Sequence, residues 1–242
     1  MRKNIYKNIE QEYNGLKNNK NNANQLIRTE NKCSQNMQMP IKAIIFDIGG
    51  VIIHYPAEKY FDYLSKKHNI SINKIQSFVN PLRKELELGN ISTRNFLNQI
   101  SNEFKIPPNK LDWQKSFKIF LRTDQNMVNL INNLWENYNI YIISNITRTG
   151  FIMCNKELEK SNCRIDRKFA SCYIHSRKPD PEIYLHALRK TKSHANETIF
   201  IDDKKNNIDA AIKLGMNGIL FSNLNQLIQD LKKLNIKINI SL

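Results

Sequence analysis

The chain has 242 residues, 40% of them apolar, and a formal charge of +15. That length suits one domain with a modest insertion and a tail, and no run of eighteen apolar residues is present to form a membrane-spanning helix. Lys and Arg are scattered along the whole length without an aromatic-interleaved basic stripe or zinc-finger spacing, so nucleic acid is not expected as the principal partner, whereas a positive surface favours small anionic substrates.

Residues 1–40 are rich in Asn, Lys and Gln, as in Asn18-Asn19-Lys20-Asn21-Asn22. Ile5, Tyr6, Ile9, Tyr13 and Leu16 have rough helical spacing, but they offer too little apolar surface to offset the entropy of ordering. The stretch reads as a disordered extension. It lacks the hydrophobic segment of a secretory signal, so a cytoplasmic location is the default. Ile41–Phe46 is a short apolar run ended by Asp47 and then Gly49-Gly50, the profile of a buried parallel strand stopping at a turn.

From Pro56 to Thr123 apolar residues recur at helical spacing, as in Tyr60, Phe61 and Leu64, then Phe96, Leu97 and Ile100. Turn signals fall at Pro81, Gly89-Asn90 and Pro107-Pro108. Residues 56–123 therefore read as an inserted helical cap, with 41–55 and 124–242 as the core.

Strands and helices then alternate. Met127–Tyr138 is predicted helical and Ile140–Ile143 a strand ending at Ser144-Asn145. A helix over Arg148–Lys160 leads to a strand over Phe169–Ile174. Pro181–Thr191 is a helix with Pro in its first turn and Asp180 as its cap. Thr198–Ile201 is a strand ending at Asp202-Asp203, followed by a helix over Asn207–Leu214, a strand over Gly218–Phe221 and a helix over Leu224–Leu234. Such repeated units predict an α/β fold, a doubly wound, mostly parallel Rossmann-like sheet with ligands beyond the carboxyl ends of its strands.

Asp47, Ser144 and Asp202 each follow a separate apolar strand, so they should converge on one crevice. Clustered carboxylates repel one another without a cation, and hard oxygen ligands suit Mg²⁺. A carboxylate can also act as nucleophile. Ser144 supplies a hydroxyl and Asn145 a backbone N–H for phosphate oxygens, while Lys178 supplies a cation. Read singly, each is an ordinary cap, turn or loop residue; the combination reads as a phosphoryl-transfer site. The four cysteines, Cys33, Cys154, Cys163 and Cys172, form no CxxC pair and read as free thiols.

Four segments carry a resemblance: Phe46-Asp47-Ile48-Gly49-Gly50-Val51-Ile52, Ile143-Ser144-Asn145, Arg177-Lys178-Pro179-Asp180-Pro181-Glu182-Ile183-Tyr184 and Ile201-Asp202-Asp203. Together they resemble the four motifs of the haloacid dehalogenase superfamily, subfamily IA, in which a helical cap separates the first two. The segment after the nucleophile is most similar to the branch of α-glucose-1-phosphate phosphatases and epoxide hydrolase N-terminal domains.

The resemblance implies Asp47 as nucleophile and metal ligand, with the Gly49 carbonyl and Asp202 as further Mg²⁺ ligands and Asp203 as a ligand or its outer support. It also implies Ser144 and Asn145 as phosphoryl-holding residues and Lys178 as their cationic partner. The substrate class would be small phosphomonoesters, sugar phosphates among them. The cap segment Glu87-Leu88-Gly89-Asn90-Ile91-Ser92 would face the site, and Arg83, Glu85, Glu87 and Arg122 are polar candidates for specificity.

One position departs from the commonest phosphatase pattern, which has a second Asp two residues after the nucleophile; here it is Gly49. Loss of a general acid costs about 10²–10⁴ in rate. Another residue could donate the proton, the leaving group could be a good one, or the domain is not a general phosphatase. His54 is a candidate donor; its alternative is a histidine without a role. The gap also keeps open a 2-haloacid dehalogenase, which the Asp202-Asp203 pair argues against, and a catalytically weakened binding protein. A phosphonate-type Schiff base at Lys59, Lys66 or Lys67 is not expected, because these look like a solvated helix face.

Overall fold

The structure, a computed structural model, describes residues 40–55 and 57–239. The extension expected over residues 1–40 lies, but for Pro40, outside the described residues. Among them, no helix is long and apolar enough to cross a membrane.

Five parallel strands make the central sheet: β1 (Ala43–Phe46), β4 (Asn139–Ser144), β5 (Arg167–Ala170), β6 (Thr198–Asp202) and β7 (Asn217–Leu220), in the order β5-β4-β1-β6-β7. β1 is central and its four residues are buried. That is why its sequence is apolar at every position rather than at alternate ones. Ile44 and Phe46 enter one core, together with Ile140, Ile142, Ile199 and Ile201. Ala43 and Ile45 enter the other, together with Tyr141, Ile143 and Phe200. The two-residue period of the strand thus feeds both faces of one sheet.

Between β2 (Ile53–His54) and β3 (Arg122–Thr123) lie α1 (Ala57–His68), α2 (Ile72–Glu87), α3 (Thr93–Phe104) and α4 (Trp113–Phe120). β2 and β3 pair antiparallel, Ile53 with Thr123 and His54 with Arg122, so the chain leaves and re-enters the core through a two-stranded neck. The remaining helices are α5 (Gln125–Trp135), α6 (Arg148–Lys160), α7 (Ser171–Ile174), α8 (Pro181–Thr191), α9 (Lys205–Lys213) and α10 (Leu224–Lys233).

The predicted bounds of α6 and α8 match the structure, and Asp180 caps α8 by accepting from the Glu182 N–H. Two expectations fail. Pro81 does not end a helix: it sits exposed inside α2, while Ile75, Val79 and Leu86 stay buried on either side of it. Packing of that face outweighs the cost of a proline in a helix, about 3 kcal/mol. Phe169–Ile174 is not a continuous strand either. β5 ends at Ala170 and α7 turns there, where the Ser171 hydroxyl donates to Glu87 O at 2.6 Å and accepts from the Ile146 N–H at 3.0 Å. Those two tertiary hydrogen bonds favour a turn over an extended backbone.

A candidate active site at the carboxyl edge of the sheet

β4, β1 and β6 are adjacent and in register, Phe46 opposite Ile142 on one side and Ile201 on the other. Their carboxyl ends therefore deliver Ser144, Asp47 and Asp202 side by side. The Asp47 N–H donates to Ile201 O at 2.8 Å, which ties the turn after β1 to β6. Beyond it, the N–H groups of Val51, Ile52 and Ile53 all point at Ile48 O, closing a tight turn that contains both glycines. Gly50 adopts φ +80, and a Cβ there would lie 2.6 Å from Asp203 Oδ2. At Gly49 an added Cβ would meet nothing within 4 Å.

Asp47, Asp202 and Asp203 each offer a carboxylate oxygen, and these oxygens lie within 4.8 Å of one another. Lys178, 2% exposed, places its ammonium 2.9 Å from Asp47 Oδ1 and donates to Asp202 Oδ2 at 2.6 Å and to Ile143 O at 2.9 Å. Burial pulls the ammonium down, but the Asp47 and Asp202 carboxylates outweigh it and hold Lys178 above its ordinary value, charged. Its ammonium thus donates to two acceptors, Ile143 O and Asp202 Oδ2, and pairs by charge with Asp47, so it holds the two carboxylates in place.

The two adjacent aspartates differ. Asp202 is fully buried. Its Oδ1 accepts from the Lys204 N–H at 2.8 Å, and Asn207 Nδ2 lies 3.0 Å from both of its oxygens. Asp203 is exposed, and its carboxylate takes no hydrogen bond from the described residues. Partial desolvation raises its pKa, helped by the nearby charges of Asp47 and Asp202 and opposed by Lys204 and Lys178. One ammonium against three carboxylates leaves two negative charges unbalanced. A divalent cation with oxygen ligands would balance that donor set, so these residues fit Mg²⁺.

Ser144 and Asn145 line a cavity of about 470 Å³ together with Gly49, His54 and Asp203. Ser144 is buried, yet its hydroxyl makes no hydrogen bond with the described residues. The Asn145 side chain is committed elsewhere: its Nδ2 donates to Lys178 O at 2.8 Å and its Oδ1 accepts from the Lys178 N–H at 2.7 Å. Its amide thereby holds the Lys178-Pro179 segment against β4. His54 is exposed at the neck and shares the cavity.

Of the specificity candidates, Arg83 and Glu87 line the cavity. Glu85 instead accepts from Asn90 Nδ2, and Arg122 donates to its neighbour Leu121 O. Lys59, Lys66 and Lys67 are exposed, and Lys67 is paired with Asp112. Cys154, Cys163 and Cys172 are free thiols; burial and the charge of Asp47 push Cys154 up to about 12. Cys33 lies outside the described residues.

A family profile described as haloacid dehalogenase-like hydrolase matches residues 41–215. The chain belongs to the haloacid dehalogenase-like hydrolase family. It is 30% identical over 183 residues to the sesquiterpene phosphatase astK of Aspergillus oryzae, covering 74% of this chain and 88% of that protein. Over 190 residues it is 27% identical to the D-ribitol-5-phosphate phosphatase of Bacteroides thetaiotaomicron, covering 72% and 89%. A solved HAD family enzyme from the same bacterium, in its magnesium complex, shares the fold with a TM-score of 0.68 at 21% identity, over 79% of this chain and 100% of that one.

Sequence reasoning missed Asn207 and the aromatic side of the cavity. Asn207 stands five residues after Asp202, one turn into α9, a spacing that returns its amide to the strand end. The aromatics carry no comparable signal, because in a hydrolase of this family a core residue and a cavity-lining residue have the same periodicity.

Proposed function

We propose that this hydrolase cleaves small phosphomonoesters with Asp47 as nucleophile, and that residues 56–123 form its cap. The observation that carries the reading is the Asp47–Lys178–Asp202 chain beside Asp203: three converging carboxylate oxygens with one buried ammonium holding two of the three groups. The names of two relatives, a sesquiterpene phosphatase and a D-ribitol-5-phosphate phosphatase, support phosphoester cleavage. A solved relative binds magnesium and inorganic phosphate together.

Asp47 Oδ1 is occupied by Lys178 and by the Ile48 N–H at 2.7 Å, which fixes the carboxylate plane and leaves Oδ2 to attack phosphorus. The new Oδ2–P bond replaces the P–O bond to the alcohol, giving an aspartyl-phosphate. The departing oxygen takes a proton, for which His54 is the donor that shares the cavity. Water then attacks the phosphorus and gives its proton to the now neutral His54, the Asp47 Oδ2–P bond breaks to restore the carboxylate, and phosphate leaves. The Ser144 hydroxyl and the Asn145 N–H hold phosphoryl oxygens through both steps. Asp47, Asp203 and the Gly49 carbonyl would hold Mg²⁺, with Asp202 steering Lys178 and, through Asn207 and the Lys204 N–H, the turn that carries Asp203. When bound, the ion supplies charge neutralisation at the phosphoryl oxygens.

The test is phosphate release from a panel of phosphomonoesters, with and without Mg²⁺, for wild type and Asp47→Asn. Metal-dependent turnover that disappears in Asp47→Asn is expected. Turnover that persists in Asp47→Asn, or halide release from 2-haloacids that survives a chelator, sinks the proposal.

A further inference from the structure

The aromatic lining of the cavity comes from the neck and the inserted helices: Tyr55, Tyr60, Phe61, Trp113 and Phe117. These are not loosely gathered rings. Tyr55 stacks on Phe117 with centroids 4.6 Å apart and planes 7° off parallel. Trp113 meets Phe117 and Tyr60 edge-on at 5.4 and 5.2 Å. The wall is therefore a preformed apolar surface rather than a set of movable side chains.

Most of its polar handles are already consumed. The Tyr60 hydroxyl donates to Leu111 O at 2.6 Å, and the Tyr55 hydroxyl lies 3.0 Å from Ser116 Oγ. Arg83 sits 3.6 Å from Glu87, which also pairs with Arg177 at 2.9 Å, so the one carboxylate on this side is held between two guanidinium groups. A polyol needs a donor or acceptor for nearly every hydroxyl it buries, and an unmatched one costs heavily. This wall offers few. The buried Trp113 Nε1, without an acceptor among the described residues, is one of those few.

The same cavity is also lined by Gly49, Ser144, Asn145 and Asp203 from the strand ends of the core. One ligand that meets both sets of residues must carry a phosphate on an apolar body. From this geometry, and resting on the phosphatase reading above, we infer that the substrate is an amphiphilic phosphomonoester whose alcohol is a hydrocarbon chain or ring system, not a sugar or polyol. The volume of about 470 Å³ lies in the range of roughly 300–1,000 Å³ that encloses a small organic ligand.

The experiment compares ethyl, propyl, pentyl and octyl phosphate with glycerol 1-phosphate and ribitol 5-phosphate, all esters of primary alcohols, so that leaving-group chemistry varies little. In the full chain with Mg²⁺, kcat/KM is expected to rise about threefold per methylene along the alkyl series. Phe117→Ala should flatten that slope. Phe117→Leu keeps apolar bulk and should retain most of it, which separates a lost wall from a misfolded protein. A flat alkyl series, or polyol phosphates turned over better than alkyl esters of equal length, overturns the inference while leaving phosphoester hydrolysis standing. No turnover of any ester removes the inference together with the reading beneath it.

Discussion

A Cβ added at Gly50 would stand 2.6 Å from the Asp203 Oδ2, while the neighbouring Gly49 faces open space. Adjacent glycines thus have opposite tolerances, and the contrast is directly testable. Gly50 also holds φ +80, where an L side chain costs about 1–2 kcal/mol. Gly50→Ala is expected to lower the melting temperature and, by displacing Asp203, to cut kcat at least tenfold. Gly49→Asp is expected to fold with an unchanged melting temperature and to raise kcat on alkyl phosphates, by up to about 10²-fold, as a proton donor enters the open space. Loss of folding in Gly49→Asp contradicts the open geometry.

Metal binding has its own signature. The unbalanced carboxylates predict that Mg²⁺ stabilises the fold, by about 2.7 kcal/mol at a hundredfold excess over its dissociation constant. In Asp203→Asn one crowded carboxylate is gone. The metal-free variant should therefore melt no lower than wild type, yet lose the rise on adding Mg²⁺. Thermal melts with and without the ion decide it, and a full Mg²⁺ response in Asp203→Asn contradicts the role of Asp203.

Asp112 gives a pH dependence from within the inserted helices. Its carboxyl is held well below the usual carboxylate range, first by the hydrogen bond from Lys67, then by those from Lys115 and Tyr63. A depressed folded pKa contributes stability that is present above the unfolded value of about 3.9 and is lost as pH falls below it towards the folded value. Asp112→Asn keeps a short polar side chain suited to the left-handed backbone there, φ 52. Wild type should melt above the variant near neutral pH, and the gap should close as the solution is acidified below about pH 4. A gap independent of pH contradicts this account.

Gly89 tests how the inserted helices seat on the core. With φ +73, an added Cβ would lie 2.3 Å from the Cys172 carbonyl oxygen, a backbone atom that cannot step aside. Gly89→Ala should cost about 2–3 kcal/mol and lower the melting temperature by on the order of 5–10 °C. Because Glu87 lines the cavity two residues away, KM for the substrate should rise as well.

The sheet was legible because parallel strands buried on both faces are apolar at every position, as Ile44, Ile45 and Phe46 are. Helix ends were legible where capping chemistry is local, as at Asp180 and Pro181. Pro81 misled because its cost is local while the packing of Val79 and Leu86 that outweighs it is not. The strand expected through Ser171 failed for the same reason: its hydroxyl bonds to a carbonyl 84 positions away.

What the sequence determined by itself was that Asp47, Ser144 and Asp202 share one edge of one sheet, since strand ends in a doubly wound fold have a common side. Only the tertiary structure decided how those groups divide the work. It bonded Asp202 and the Lys178 ammonium internally, left Asp203 exposed, and set Tyr55, Trp113 and Phe117 around the cavity that opens on Ser144. Each of these outcomes is a distance between atoms far apart in the chain, and a distance of that kind exists only once the packing that fixes it has formed.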